Sequence, residues 1–250
     1  MIITDREAVT CNARERAAIE TVDLGELRYT EAVTMMDHWV ARRRSESVGD
    51  RLFLLSHPPV ITFGRNTRTD ELPDDALGID LVPADRGGYA TYHGPGQLVG
   101  YLVIDLDGAG PARLIRWLEE TVIGALEDLG FCAYRRDTPP GAASLVGVWA
   151  GEDHKLVSIG MRIRDGITSH GFAINVDPDL TVFTRFTACR LPGVEMTSLA
   201  RLAAEHGAPI PTVEAVRAAL ASRFAAGHPA GPSKNAASAD QPSSDEDQER

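Results

Sequence analysis

The stretch that most restricts how this chain can fold is the glycine-rich run at residues 86–101. It reads Arg-Gly-Gly-Tyr-Ala-Thr-Tyr-His-Gly-Pro-Gly-Gln-Leu-Val-Gly-Tyr, so five of its sixteen residues are glycine and one is proline. This composition excludes a regular helix and interrupts any strand. Glycine lets a ligand approach the main chain closely, and the polar side chains between the glycines supply hydrogen-bonding groups. We therefore predict that this run wraps around a bound ligand.

The composition is that of a globular protein with one sizeable core. The chain has 250 residues, of which 43% are hydrophobic, and a formal net charge of −11. That charge argues against nucleic-acid binding, because phosphate contacts need a basic face. No secretory signal and no apolar run long enough to cross a bilayer are visible. Cys11, Cys132 and Cys189 are too widely spaced for a disulfide framework or a zinc site. We expect a cytoplasmic monomer.

The sequence divides into one folded domain and a tail. After about Gly227 the chain is nearly free of apolar residues and ends in a group of acidic ones. Such a segment buries too little surface to offset the entropy of ordering it. We predict a single domain over residues 1–226 and a disordered acidic tail over residues 227–250.

Apolar periodicity predicts helices and short strands within the domain. Helices are expected over residues 29–43, 111–129 and 212–225, and strands over residues 51–55, 60–63, 99–106, 145–150, 155–163 and 171–176. Because the strands occur in several blocks between well-separated helices, the predicted fold class is α+β. Lys155 shares the parity of the apolar side chains in its strand, so its stem is expected to point inward.

Two residues suggest nucleophilic chemistry. Lysine and arginine number 25 together, yet only Lys155 and Lys234 are lysines, and Lys234 lies in the predicted tail. A desolvated lysine can lose its proton and act as a base, whereas arginine cannot. Cys189 lies in an irregular segment beside Arg190, and a nearby cation stabilises a thiolate. Cys132 instead fits a small buried apolar residue.

Other catalytic signatures are absent from the sequence. None of the seven histidines stands at metal-ligand spacing, so we predict neither a metal nor a cofactor. His93 and His170 each precede a glycine and fit loop positions, and His154 fits a turn. Nucleotide-binding glycine patterns and a Gly-x-Ser-x-Gly elbow are also missing. A thiol paired with a base predicts acyl transfer or hydrolysis.

The glycine-rich run is followed by further short motifs in a fixed order. These are Gly147–Trp149, Lys155–Gly160, Ser169–Val176 and Thr197–Leu199. Together they resemble the octanoyltransferases of lipoate biosynthesis, also called lipoyl(octanoyl) transferases, over about residues 20–205. The resemblance implies the fold of the biotin/lipoate protein ligase catalytic domain, a mixed β-sheet flanked by helices.

The resemblance also implies roles for individual residues. It places the acyl-accepting cysteine at Cys189 and its partner lysine at Lys155. It implies an acyl-chain pocket formed by Arg86, Gly87, Gly88, Tyr89, Ala90, Thr91, Tyr92, His93, Ser158, Ile159, Gly160, Gly171, Phe172 and Ala173. The family usually has Pro-Cys-Gly at the nucleophile, whereas this chain has Ala188-Cys189-Arg190. We expect the loop that carries the thiol to differ accordingly.

The reaction implied by the resemblance is transfer of an octanoyl group from octanoyl-acyl carrier protein to a specific lysine of an apo lipoyl domain, through a cysteine thioester. This is the first step of endogenous protein lipoylation. The implied acceptors are the lipoyl domains of 2-oxoacid dehydrogenase complexes and the glycine cleavage H protein. Basic residues expected to meet the acidic carrier are Arg42–Arg44, Arg162, Arg164 and Arg190. An ATP-dependent lipoate-protein ligase, a non-catalytic octanoyl-binding relative and a cysteine hydrolase stay open as alternatives.

Overall fold

The computed structural model describes residues 18–45, 48–73, 78–151, 153–191 and 193–228. Over these residues the strands are β1 (Glu20–Glu26), β2 (Arg51–Ser56), β3 (Val60–Phe63), β4 (Asp80–Pro83), β5 (Thr91–His93), β6 (Gln97–Val103), β7 (Tyr134–Arg135), β8 (Gly147–Ala150), β9 (His154–Arg164) and β10 (Ile167–Asn175). The α-helices are α1 (Tyr29–Arg44), α2 (Pro111–Asp128), α3 (Leu199–His206) and α4 (Val213–Phe224). Short 3-10 turns cover Thr69–Glu71, Leu180–Arg185 and Ala188–Arg190.

The described strands form two sheets. The larger is a mixed sheet of seven strands in the order β1-β2-β6-β10-β9-β8-β7, and the smaller has the order β4-β3-β5. In the larger sheet β1 runs parallel to β2, whereas the other neighbours are antiparallel. The predicted strands at 51–55 and 60–63 are confirmed, and Pro58 and Pro59 lead the chain from the large sheet to the small one.

Helices cover both faces of the large sheet, which confirms the predicted α+β class. Side chains alternate along β2, because successive residues of a strand point to opposite faces. Leu52 and Leu54 pack into the cluster that contains the apolar faces of α2, α3 and α4, whereas Phe53 and Leu55 pack with Tyr29 and other residues of α1. β6 lies between β2 and β10 and is buried along its whole length. The central strands thus form a rigid support for the residues beside them.

A polar contact joins the end of the described chain to the core. Asp50 is 2% exposed and accepts hydrogen bonds from Arg43 Nε at 2.6 Å and from the backbone N–H of Asp105 at 3.0 Å. His228 Nε2 lies 3.0 Å from the Asp50 carboxylate. The folded part therefore continues through His228, two residues beyond the predicted boundary at 226. The rest of the predicted tail, residues 229–250, lies outside the described residues.

Candidate active site

A cavity of about 430 Å³, which we call the main cavity, lies beside the part of β9 that no longer pairs with β8. The pairing of β8 with β9 ends at Gly147 and Ser158, so that edge of β9 is free of β8 from Ile159 onward. The glycine-rich run covers part of this edge, and the Gly87 N–H donates to the Met161 carbonyl at 2.9 Å. Side chains of α2, β6 and β10 complete the wall. An early strand end thus leaves a gap that the glycine-rich run partly covers.

Arg86 fixes the glycine-rich run from within. Its Nη2 donates to the carbonyl of Thr62 at 3.0 Å, to the hydroxyl of Thr62 at 2.7 Å and to the carbonyl of Tyr89 at 3.1 Å. Burial lowers the pKa of Arg86. A Cβ at Gly160 would lie 3.0 Å from the Gly87 carbonyl, so the loop packs directly on the β9 backbone. The hydrogen bonds of the Arg86 guanidinium therefore hold the rim of the main cavity in place.

Cys189 is held at the cavity by contacts from two distant segments. Its backbone N–H donates to the carbonyl of Ala90 at 2.8 Å, and its Sγ lies 3.7 Å from Ser158 Oγ. Two residues before Cys189, Thr187 donates its N–H to the carbonyl of Glu71 at 3.2 Å. The thiol is partly exposed, lines the main cavity and lies within the electrostatic reach of Arg86.

Lys155 lies in the same cavity with its side chain almost fully buried. It is 3% exposed, which confirms the inward orientation predicted from strand parity. Its Nζ donates to the carbonyl of Val146 at 3.0 Å and lies 5.5 Å from the ring centroid of Trp149. Its backbone N–H donates to the Glu195 carbonyl, and its carbonyl accepts from the N–H of Thr197. The segment that follows Cys189 therefore returns to the lysine.

Most of the predicted site residues meet at the main cavity. Its wall includes Arg86, Gly87, Gly88, Tyr89, Thr91, His93, Lys155, Ser158, Ile159, Gly160, Gly171, Phe172, Ala173 and Cys189. Ala90 and Tyr92 are not among the lining residues. Tyr92 alternates with its neighbours on β5 and packs on Phe183, with ring centroids 5.7 Å apart, while Ala90 contributes the carbonyl that holds Cys189.

One end of the main cavity is polar, and sequence reasoning missed part of it. Tyr29 Oη lies 3.3 Å from His170 Nε2, and Tyr101 Oη lies 2.8 Å from His57 Nε2. Burial raises the pKa of Tyr29 to about 12 and lowers the pKa of His170 to about 4. Burial also lowers the pKa of His93 well below its ordinary value and raises the pKa of Tyr101 well above its ordinary value. These groups are therefore uncharged near neutral pH.

Several positions differ from the expected ones. His93 lies in β5 and His170 in β10, not in loops, and His154 is the first residue of β9 rather than part of a turn. Each strand continues through these residues because its pairing continues, as between Val60 and His93. Cys132 is exposed, not buried, because it follows α2 outside the core.

The arginines expected to form a basic face mostly have acidic neighbours. Arg43 pairs with Asp50, Arg44 and Arg164 with Asp165, Arg162 with Asp85, and Arg190 with Glu71. The Arg42 guanidinium lies 4.9 Å from the ring centroid of Trp39. The expected face is thus a set of ion pairs rather than a row of free cations.

No helix within the described part of the chain is both long enough and apolar enough to span a membrane.

Comparisons with known proteins agree with this architecture. The family model for the lipoyl protein ligase A/B catalytic domain matches residues 28–225. The octanoyltransferase of Frankia casuarinae is 42% identical over 205 residues, which span 80% of this chain and 93% of the relative. The octanoyltransferase of Geobacter sulfurreducens is 39% identical over 209 residues, which span 83% of each protein.

A solved structure shows the same fold at low sequence identity. The structure of a bipartite lipoate protein ligase and its E2 lipoyl domain from Thermoplasma acidophilum contains a chain that superposes with a TM-score of 0.62 at 19% identity. The match covers 83% of this chain and 82% of that chain. From these findings, this chain belongs to the lipoyl protein ligase A/B catalytic-domain family and is, within it, a transferase of the lipoyl(octanoyl) transferase type.

Proposed function

We propose that this protein transfers an octanoyl group from octanoyl-acyl carrier protein to a lysine of an apo lipoyl domain, through a thioester on Cys189. The observation that carries the proposal is the presence of Cys189 and Lys155 on the wall of one cavity with a largely apolar lining. An apolar cavity suits an acyl chain. A thiol that shares a cavity with a base suits attack on an acyl group.

In the first step, the Cys189 sulfur attacks the carbonyl carbon of the octanoyl thioester. Lys155 acts as the base that takes the thiol proton and then passes it to the departing carrier thiol. One carbon–sulfur bond forms and one breaks, so the acyl group stays activated and no ATP is needed. We assign the Ser158 hydroxyl, which lies 3.7 Å from the Cys189 sulfur, as a donor to the oxyanion.

The second step delivers the acyl group to the acceptor. A neutral lysine amine of the lipoyl domain attacks the Cys189 thioester, Lys155 accepts the proton that the amine loses, and the Cys189 sulfur departs. The product is an octanoyl amide, and the two half-reactions form a ping-pong scheme. The backbone N–H of Cys189 already donates to Ala90. We therefore assign the oxyanion to the Ser158 hydroxyl and to donors of the glycine-rich run.

The proposed acceptors are the lipoyl domains of 2-oxoacid dehydrogenase complexes and the glycine cleavage H protein. An E2 lipoyl domain is the companion of the Thermoplasma acidophilum ligase with the same fold, which supports this class of acceptor. The reaction would then be the first step of protein lipoylation, in the cytoplasm.

The covalent step predicts acylation of one cysteine. After incubation with octanoyl-acyl carrier protein, intact mass spectrometry should show one octanoyl group that hydroxylamine removes. Cys189→Ser should lack this thioester, whereas Cys132→Ser, which changes the other described free cysteine, should be acylated like the wild type. An octanoyl thioester that persists in Cys189→Ser would refute the mechanism.

Lys155→Arg tests the base within the same assay. It keeps the positive charge but cannot give up a proton, so transfer should fall by about a hundredfold or more, the usual contribution of general base catalysis. Normal turnover would show that Lys155 is not the base.

The same assay separates the alternative functions. Transfer from free octanoate that requires ATP and does not require Cys189 would favour a ligase. Release of free octanoate would favour a hydrolase.

A further inference from the structure

A second recess, of about 310 Å³, adjoins the main cavity and has no part in the mechanism above. We call it the arginine recess, and it is formed by Arg65, Asn66, Asp85, Arg86, Gly87, Gly88, Met161 and Arg162. Five of these residues, Asn66, Arg86, Gly87, Gly88 and Met161, also line the main cavity. The two spaces therefore meet along the rim formed by the glycine-rich run.

Positive charge dominates the arginine recess. The Asp85 carboxylate lies between two guanidiniums, with Oδ1 3.5 Å from Arg65 Nη2 and Oδ2 in contact with Arg162 Nη1. The third guanidinium in the wall, Arg86, donates to uncharged groups of Thr62 and Tyr89. The wall of the recess thus holds three guanidiniums and one carboxylate, and that carboxylate pairs with only two of them. Although the whole chain has a net charge of −11, this local excess of positive charge favours the binding of an anion.

The two outer arginines remain accessible to a ligand. The side chain of Arg65 is 81% exposed and that of Arg162 is 28% exposed. Guanidinium groups bind phosphate oxygens through paired N–H donors. A recess of this volume admits a phosphate group but not a surface helix of a protein.

We propose that the arginine recess binds the phosphate of the donor's prosthetic arm. This inference rests on the proposed function, in which the donor is a carrier-bound thioester. In an acyl carrier protein the acyl group is attached to the thiol end of a pantetheine arm, and a phosphate joins the other end to the protein. With the acyl chain in the main cavity and its carbonyl at Cys189, the arm leaves over Gly87 and Gly88. Its phosphate then lies in the arginine recess, against the guanidiniums of Arg65 and Arg162 and beside Asp85.

The test compares two small donors that differ only in the phosphate. Acylation of Cys189 is followed by intact mass with S-octanoyl-4′-phosphopantetheine and with S-octanoylpantetheine. The wild type should use the phosphorylated donor with a kcat/KM about tenfold higher, as expected for a charge-assisted hydrogen bond. Arg65→Gln and Arg162→Gln should each reduce this preference, and Asp85→Asn should increase it.

A matched control comes from the same strand. Arg164→Gln removes a β9 arginine that pairs with Asp165 and lies outside the recess, so it should keep the wild-type preference. Equal use of both donors by the wild type, or an equal loss for both donors in the arginine variants, would overturn the phosphate site while leaving transfer from thioesters intact. Failure of every donor, including octanoyl-acyl carrier protein, to acylate the wild type would instead overturn the proposed function, and this inference with it.

Discussion

At the scale of single residues, the proposed nucleophile, Cys189, lies in a strained turn. Cys189 and Arg190 have left-handed backbone angles, with φ of 55° and 53°, a conformation that costs a residue with a side chain roughly 1–2 kcal/mol. The contacts around the turn hold it in place, including the bond from Cys189 N–H to Ala90 and the pairing of Arg190 with Glu71 at 3.3 Å. Where the family usually has glycine, this chain has Arg190.

Two substitutions of Arg190 separate backbone strain from side-chain contacts. Arg190→Gly and Arg190→Ala both remove the ion pair with Glu71, but only glycine adopts the left-handed region without cost. The free energy of unfolding should therefore be about 1 kcal/mol higher for Arg190→Gly than for Arg190→Ala. Urea denaturation of the two variants measures the difference. Equal stabilities would mean that the turn relaxes out of this conformation when the arginine side chain is lost.

The sequence predicted the site unevenly. The inward orientation of Lys155 could be predicted, because the backbone of a strand points successive side chains to opposite faces of the sheet. Ala90 and Tyr92 shared a motif with Thr91, yet the same alternation points Tyr92 away from the cavity. Tyr29 had no local signal, since helix packing alone brings the start of α1 to the cavity.

At the scale of elements, close strand pairing explains two of the glycines. Gly171 on β10 pairs with Tyr101 on β6 and with Gly160 on β9. A Cβ at Gly171 would lie 2.1 Å from the Gly100 carbonyl oxygen, and a Cβ at Gly100 would lie 2.3 Å from the Phe172 ring. A side chain at Gly171 could be accommodated only if β6 and β10 moved apart.

Gly171→Ala should therefore destabilise the protein strongly. We expect a loss of about 3 kcal/mol, at the upper end for overpacking, because the obstructing atom belongs to the backbone. Gly49→Ala is the matched control, since a Cβ there meets no atom within 4 Å, and it should change stability by about 0.5 kcal/mol or less. Thermal unfolding of both variants measures the contrast. Similar midpoints for the two variants would contradict this account of the β6–β10 contact.

The regular elements were predictable mainly where their pattern was long. The helices α1, α2 and α4 have 12 residues or more and lie where the sequence predicted them. β1 was not predicted, because its residues Glu-Thr-Val-Asp-Leu-Gly-Glu are mixed in polarity and largely exposed at the sheet edge. α3 has only eight residues, and its start depends on a cap in which Ser198 Oγ accepts from the Arg201 N–H.

At the scale of the whole molecule, buried histidines make stability depend on pH. His170 is 5% exposed and its pKa is lowered from 6.5 to about 4, first by burial and then by the charges of Arg86 and Arg162. Burial also lowers the pKa of His57 and of His93. In the unfolded chain these side chains take up protons near their ordinary pKa. Acid therefore favours the unfolded state.

The sign and window of this effect follow from the shift at His170. Above pH 6.5 the ring is neutral in both states and has no effect. Between pH 6.5 and 4 the unfolded chain binds a proton that the folded chain does not, so the stability falls by about 3 kcal/mol for this residue alone. His170→Asn keeps a residue that tolerates the left-handed φ of 59° and should flatten the fall. Urea unfolding from pH 7.5 to 4.5 measures both slopes, and an unchanged slope would contradict the assignment.

The overall architecture was predictable because several motifs agree in order, whereas the relation of the two sheets was not. Val60–Phe63 was predicted as a strand, but pattern alone could not show that it pairs with β4 and β5 rather than with β2. Likewise the apolar run at β9 predicted a strand but not the gap beside Ile159, which depends on where β8 ends.

The contacts around Cys189 and Lys155 come from widely separated parts of the chain. Those around Cys189 come from Glu71, Ala90 and Ser158, while Lys155 is held by Glu195 and Thr197. A chain that ends before Glu195 would keep the residues that hydrogen-bond to the Cys189 turn but would lack the backbone groups of Glu195 and Thr197 that bind Lys155. The segment from Glu195 to Thr197 therefore joins the strand that carries the lysine to the part of the chain that follows the cysteine.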